Sequence, residues 1–290
     1  MSPNELLLSE NSLKGILPPR KPDSHKGDYG HLLIIAGCQT MPGAAVLATG
    51  SALHSGCSLV TLHSSSRALQ AVANNYPSAM LSEDPGEVFS ELPPLDKYTA
   101  IAVGPGLGQS PRTSDALGKL LEALSQKGSI LTGTGSAKRP ALILDADALN
   151  LLSRHPEWTL PKGTVLTPHI GELRRLLPRT SRTDIQEYCR EQNCILVAKG
   201  HRSEIFTPDG RIYTNSCGNA GLAKGGSGDV LTGLVGGLLA RGLSPEDAAG
   251  LGVWIHARAA DELSQAHTME AWDSKDLIDW IWTGFQALLR

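Results

Sequence analysis

The stretch from Ala223 to Gly233, AKGGSGDVLTG, sets Gly225, Gly226 and Gly228 just ahead of an acidic residue, Asp229. Glycines leave the backbone free to turn successive N–H groups toward one point. A helix starting there adds the positive end of its dipole, so Gly226, Ser227 and Gly228 read as an anion hole. A carboxylate beside such a hole would repel a resting phosphate, but it suits a phosphoryl group in transit. Phosphoryl transfer asks the protein mainly to position groups and stabilise negative charge, and Asp229 can accept the proton of the attacking hydroxyl. The helix start is expected to keep Asp229 ionised, so that it takes the proton late. Carboxylate and N–H groups then serve opposite ends of one reaction, as in a kinase-type site.

Five other segments carry residues that could bind or react. In VAKGHRS, Lys199 follows an apolar run directly, where a cation meets phosphate as a point charge. In LDADALN, Asp145 and Asp147 suit Mg²⁺ held through waters, or substrate hydroxyls, and equally the capping of a helix. In LTPHIGEL, His169 and Glu172 share one face of an opening helical turn. The pair of histidines four apart that a zinc protease needs is absent from that segment. GPGLG (104–108) permits close approach of a ligand to the backbone but lacks the lysine and hydroxyl of a P-loop. Finally, Gly37 and Gly43 bracket AGCQTMPGAA, which either presents N–H groups to a ligand or is an ordinary strand-to-helix turn.

These segments need elements to hold them. HLLIIAG and SLVTLH read as strands flanking a helix of small residues (Ala44, Ala45, Ala48, Ala52, Ser55), a βαβ unit over 31–63. TAIAVG, ALIL, GTVL and CILVA continue the strand pattern, and SEIFTPDGRIYT reads as a hairpin around Pro208-Asp209-Gly210. Val230, Leu231, Leu234, Val235, Leu238 and Leu239 mark one face of a helix, with Gly233, Gly236 and Gly237 as packing contacts. Ser244-Pro245 opens another helix. Ser274 is expected to cap a last helix whose apolar stripe runs Leu277, Ile278, Ile281, Trp282, Phe285. Residues 1–23 read as a leader with a short helix, followed by a Pro-rich connector. Alternating strands and helices predict a single α/β domain over 1–290, with a mostly parallel sheet covered on both faces. Ligands then gather at the carboxyl ends of the strands.

With 290 residues, 41% hydrophobic content and a net charge of −3, nothing in the chain calls for nucleic acid or an anionic membrane as partner. The N-terminus lacks the pattern of a signal or transit peptide, and no run approaches membrane-spanning length. The five cysteines form no C-x-x-C pair, as expected of reduced thiols in a cytoplasmic protein.

A glycine-rich loop ending in Gly-Asp at a helix start resembles the G-x-G-D anion hole of the ribokinase-like superfamily, with its three-layer α/β/α sandwich. The ordered set SHKGDYGHLLIIAG, MPGAA, GPGLGQ, LDADALNLL, TPHIGEL, AKGHRS and GNAGLAKGGSGDVLTG resembles, more specifically, the ADP-dependent (S)-NAD(P)H-hydrate dehydratases over roughly residues 24 to 265. The resemblance implies that ADP (ATP being the other possible donor), with Mg²⁺, phosphorylates the C6 hydroxyl of hydrated NADH or NADPH. Phosphate then leaves, pushed by the ring nitrogen. It also implies substrate contacts at Ala44, Gly106, His169 and Asp229, with Asp229 as base. Lys199, Gly200, His201, Arg202, Ser203 and Gly228 would line the nucleotide, and Glu172 is the first choice for Mg²⁺. Ser203, Ile170 and Ser227 depart from the threonine, proline and threonine frequent in the family, and none of these changes removes a functional group. About two dozen residues precede the matching region, so dependence on a separate epimerase is expected, as is a homo-oligomer. A small-molecule kinase of the same superfamily, acting on a vitamin precursor or a sugar, would share the anion hole and Asp229.

Overall fold

In the computed structural model, which describes residues 5–125 and 139–289, the apolar runs assemble into one sheet. Its strands are β1 (Glu5–Leu8), β2 (His31–Ile35), β3 (Leu59–Ser64), β4 (Met80–Glu83), β5 (Ala100–Val103), β6 (Ala141–Leu144), β7 (Val165–Leu166), β8 (Ile195–Ala198), β9 (Glu204–Phe206) and β10 (Ile212–Asn215). They lie in the order β1-β10-β9-β8-β7-β6-β5-β2-β3-β4. Pairing is parallel except where β9 runs against β8 and β10. The antiparallel β9–β10 pair is the hairpin expected around Pro208-Asp209-Gly210.

The helices are α1 (Glu10–Leu13), α2 (Pro42–Leu53), α3 (Ser66–Asn75), α4 (Pro111–Ser125), α5 (Ala146–Leu152), α6 (Ile170–Leu176), α7 (Arg182–Gln192), α8 (Ser227–Ala240), α9 (Pro245–Ala266), α10 (Ser274–Ile278) and α11 (Ile281–Leu289). Side chains alternate across a strand, and β2 shows how this splits the interior. Leu32 and Ile34 join a core with residues of α2, α3, α8, α9 and α11, whereas Leu33 and Ile35 join one with residues of α4 to α7. Both faces of the sheet are therefore covered, giving the three-layer α/β/α sandwich. Among the described residues, no helix is long and apolar enough to cross a membrane.

Helix α8 lies at the centre of its layer, with Val230, Leu231, Leu234, Val235, Leu238 and Leu239 all buried. A Cβ on Gly233 would stand 1.9 Å from the Ala48 carbonyl oxygen, and one on Gly237 1.9 Å from Ser55 Oγ. The missing side chains let α2 and α8 touch backbone to backbone. Gly233→Ala should therefore force the two helices apart and cost about 3 kcal/mol, visible as a lower urea midpoint. An unchanged midpoint would show that the interface yields freely.

Two expectations are corrected at the ends of the chain. The leader adds a strand ahead of its short helix: β1 pairs in parallel with β10, from Glu5 opposite Ile212 to Leu8 opposite Asn215. Only one turn, α1, is helical, capped by Ser9. Leucines favour helices in isolation, but β10 offers an unpaired edge, and pairing there decides the conformation. The last helix is broken into α10 and α11, and the cap of α10 is Asp273, whose side chain accepts from the N–H groups of Lys275 and Asp276. Trp282 is 53% exposed rather than part of a buried stripe. Ser274 instead donates its hydroxyl to the Gly225 carbonyl at 2.8 Å, bracing the glycine loop.

Candidate active site

The N-terminus of α8 is shaped by glycines for separable reasons. Gly226 precedes the first helical residue with φ +89°, and a Cβ there would lie 2.3 Å from Leu47 Cδ1. Both conformation and contact exclude any larger residue. At Gly228 the φ is ordinary, but a Cβ would sit 3.1 Å from Lys199 Nζ, so its absence lets the ammonium group reach the first turn. Gly225 faces open space. Between them Ser227 is buried, and its carbonyl accepts from His256 Nε2 at 3.0 Å. A carbonyl can only accept, so the imidazole carries its proton on Nε2. Burial, with Lys199 adding a smaller push, lowers its pKa to about 4 and keeps it neutral.

Lys199, at the end of β8, pairs with Asp145 Oδ1 at 2.7 Å. The other oxygen of Asp145 accepts from Thr232 Oγ1 at 2.7 Å. Asp145 occupies the cap position of α5 but makes no side-chain cap hydrogen bond there, so the capping role open to it in the sequence is not the one it takes. The next residue, Ala146, has φ +48°, a conformation that costs an alanine about 1 kcal/mol at the point where the chain turns into α5. A Cβ on Gly104 would collide with the Asp145 carbonyl oxygen at 1.8 Å, so the first glycine of GPGLG makes room for this strand end. Asp147 serves the same loop, accepting from Gly108 N at 2.9 Å and Gln109 Nε2 at 2.7 Å.

His169 and Glu172 form a reciprocal cap on α6. His169 Nδ1 accepts from the N–H groups of Gly171 and Glu172, while Glu172 Oε2 accepts from His169 N at 2.9 Å. With Nδ1 an acceptor, the neutral ring holds its proton on Nε2, which lies 3.3 Å from Glu172 Oε1. Burial raises the Glu172 pKa and nearby Asp145 adds to the rise, against the pull of Lys199.

Asp229 is where the structure overturns an expectation. Burial first, then the carboxylates of Asp145, Asp147 and Glu172, raise its pKa to about 7 against the opposing charge of Lys199. The helix start does not hold it firmly ionised: desolvation and three like charges outweigh the dipole. Near neutrality the group is poised between its two forms, as a general base should be.

Asp229 lies on a cavity of about 760 Å³. Of the residues expected to bind nucleotide, Lys199, Gly200, His201, Ser203 and Gly228 line it, together with His169, Glu172, Gly226 and Ser227. Leu222, Val253 and Ala257 supply an apolar wall. Arg202 is exposed and does not line it. Ala44 and Gly106 also lie outside it, against each other: a Cβ on Gly106 would stand 2.7 Å from that of Ala44. Thr232, His256 and Ser274 were not anticipated as supports of the site. Thr232 could have been found, because it follows Asp229 by three residues and shares its helix face. His256 comes from α9 with no local signature.

Among the described residues, no group of three or more His, Cys, Asp or Glu side chains could hold a metal ion by itself. Both oxygens of Asp145 and of Glu172 have protein partners. Yet Asp145, Asp147, Glu172 and Asp229 raise or share charge around a single Lys199. That excess of negative charge fits Mg²⁺ bound in the usual way, through waters and nucleotide phosphates.

An α/β/α sandwich with a glycine-led helix start and its aspartate at the carboxyl edge of the sheet defines the ribokinase-like class, whose solved members share this fold. Within that class, the chain belongs to the NAD(P)H-hydrate dehydratase family, whose profile matches residues 32–282. A bifunctional NAD(P)H-hydrate repair enzyme of Moorella thermoacetica is 36% identical over 96% of this chain and 53% of its own length. The ADP-dependent (S)-NAD(P)H-hydrate dehydratase of Bacillus subtilis is 32% identical over 96% of this chain and 98% of its own. A crystal structure of the ADP/ATP-dependent NAD(P)H-hydrate dehydratase from B. subtilis, co-crystallized with ATP/Mg²⁺, superimposes with a TM-score of 0.83 at 29% identity, covering 99% of this chain and 100% of that one. The chain thus spans about half the length of the bifunctional relatives it matches and nearly all of the B. subtilis relative.

Proposed function

We propose that this chain catalyses the ADP-dependent dehydration of the S form of hydrated NADH or NADPH, restoring the reduced cofactor. The observation that carries this reading is the Asp229 carboxyl, its pKa raised to about 7, on one cavity with Lys199 and the glycine-led helix start Gly226–Gly228. In the first step the C6 hydroxyl oxygen attacks the terminal phosphorus of ADP, Asp229 takes the hydroxyl proton, and AMP leaves. The N–H groups around Gly226, Ser227 and Gly228, with Lys199, stabilise the charge on the moving phosphoryl group. In the second step the lone pair of the ring nitrogen expels phosphate from C6, and loss of a C5 proton completes the double bond. Hydroxide leaves poorly and phosphate leaves well, which is what the nucleotide contributes. His169, with Ala44 and Gly106, is proposed to hold the ring, and Gly200, His201 and Ser203, which line the cavity, to hold the nucleotide.

Mg²⁺ bound with the nucleotide would neutralise phosphate charge, and Glu172 is the residue proposed to hold it through its water shell, with Asp145 beside it. Glu172→Gln should keep the cap on α6 and raise the Mg²⁺ concentration for half-maximal rate about tenfold. An unchanged Mg²⁺ requirement would remove Glu172 from that role. The proposal extends to a homo-oligomer in the cytoplasm, acting beside an epimerase that interconverts the R and S hydrates. The exposed edge strand β4, with Met80 and Leu81 at the surface, supports the oligomer.

The test of the reaction mixes chain, ADP, Mg²⁺ and NADPH hydrate and follows reduced-nicotinamide absorbance. Recovery of absorbance with no stable phosphorylated product supports the dehydratase. A phosphorylated small molecule that accumulates would point instead to a kinase.

A further inference from the structure

Two nucleotides must be held at once under the reading above: the phosphoryl donor and the dinucleotide whose ring is repaired. The cavity at Asp229 has the lysine and anion hole that a donor needs. A second cavity, of about 780 Å³, opens at the same carboxyl edge of the sheet. Its lining includes Gln39 in the loop after β2, Ser66 at the start of α3, Glu83 at the end of β4, and Arg112 in the first turn of α4. Ala44 and Gly106, which follow β2 and β5, stand between the two cavities in the strand order. From β6, which Asp145 follows directly, to β3 is three strand spacings, roughly 14 Å, a span that an extended dinucleotide covers.

This second cavity is built firmly. Asp84 is buried and accepts from Gly86 N, Ser90 N, Ser90 Oγ and Glu91 N, with His63 Nε2 at 3.2 Å. These bonds fix the turn 84–91, whose Glu87 carbonyl accepts from Gln39 N at 2.9 Å. Gly37 N donates in turn to the Pro105 carbonyl at 2.7 Å, so three loops are tied into one wall. The lining then offers three chemistries. Pro85, Val88 and Pro111 give apolar surface for a flat base, and the exposed carboxylates of Glu83 and Glu87 can accept from ribose hydroxyls. Arg112 presents a guanidinium, the group best matched to a phosphate.

We propose that this cavity holds the adenylate half of the dinucleotide substrate, with Arg112 on a phosphate, while the hydrated ring lies between Ala44, Gly106 and Asp229. The inference rests on the dehydratase reading for the identity of the substrate, but its test does not need turnover. NADPH serves as the probe in titration calorimetry, on the intact chain saturated with ADP. NADPH is expected to bind alongside ADP, and Arg112→Ala to weaken NADPH about tenfold or more with ADP affinity unchanged. Arg112→Lys should recover part of the loss, and KM for the hydrate should rise in parallel in Arg112→Ala. Displacement of NADPH by ADP, or NADPH affinity untouched in a folded Arg112→Ala protein, would overturn the proposal. Arg112-dependent NADPH binding without any repair of hydrate would leave the cavity assigned and refute the reaction instead.

Discussion

Asp229→Asn is expected to lower turnover about 10³-fold or more, the scale on which a positioned general base contributes, while ADP affinity changes by only a few-fold. Asparagine keeps the shape of the side chain and loses the ability to take the hydroxyl proton. The same substitution should stabilise the protein at pH 8. A carboxyl raised from the ordinary range to about 7 binds its proton more tightly in the folded chain than in the unfolded one. Its destabilising effect is therefore absent below the ordinary carboxylate range, grows as pH rises toward 7, and is complete above it. The ceiling is about 4 kcal/mol; for a partly exposed group about 1–2 kcal/mol is expected, measured as a higher denaturant midpoint at pH 8 that vanishes near pH 4. In the unmodified enzyme, kcat/KM should fall about tenfold per pH unit below about 7. A variant that loses stability as well as activity would show that Asp229 supports the fold rather than the reaction.

Lys199→Met has the second large effect. The lysine is 18% exposed and its partner Asp145 only 2%, so the substitution strands a buried carboxylate. Breaking such a pair costs about 3–5 kcal/mol, and the Thr232 hydroxyl relieves part of it. Lys199 is also the cation that pulls down the pKa values of Asp229 and Glu172, so the acid limb of the rate profile should move above pH 7. Nucleotide affinity should fall about tenfold with the loss of a charge-assisted phosphate contact. The double variant Lys199→Met/Asp145→Asn separates the roles: stability should largely return, and turnover should not. A double variant as unstable as the single one would place the cost in lost packing by the lysine stem.

The parts of this fold that were legible are those where one segment carries its own explanation. HLLII is buried on both faces, GSGD marks a glycine-led helix start, and Ser244-Pro245 opens α9. Segments that depend on a neighbour were harder to read. β1 is leucine-rich and becomes a strand because β10 leaves an edge free, while β4 is a short, partly polar edge strand that went unread. The same division holds in the site. The sequence places Asp229 at a helix start and so suggests a firmly ionised group. Its real environment comes from Asp145 at the end of β6, Asp147 in α5 and Glu172 in α6, which only the folded sheet brings together. His256 likewise reaches the Ser227 carbonyl from a different helix, with nothing in IHARAADEL to announce it.

The central claim is that the nucleotide is spent to turn a hydroxyl into a leaving group on the substrate itself. The direct measurement is stoichiometry, counting AMP, inorganic phosphate and restored NADPH from S-hydrate and ADP in one reaction. The account predicts one of each per turnover, with all three formed about 10³-fold more slowly in the Asp229→Asn protein. AMP formed without restored NADPH, or a phosphorylated product that persists, would contradict it.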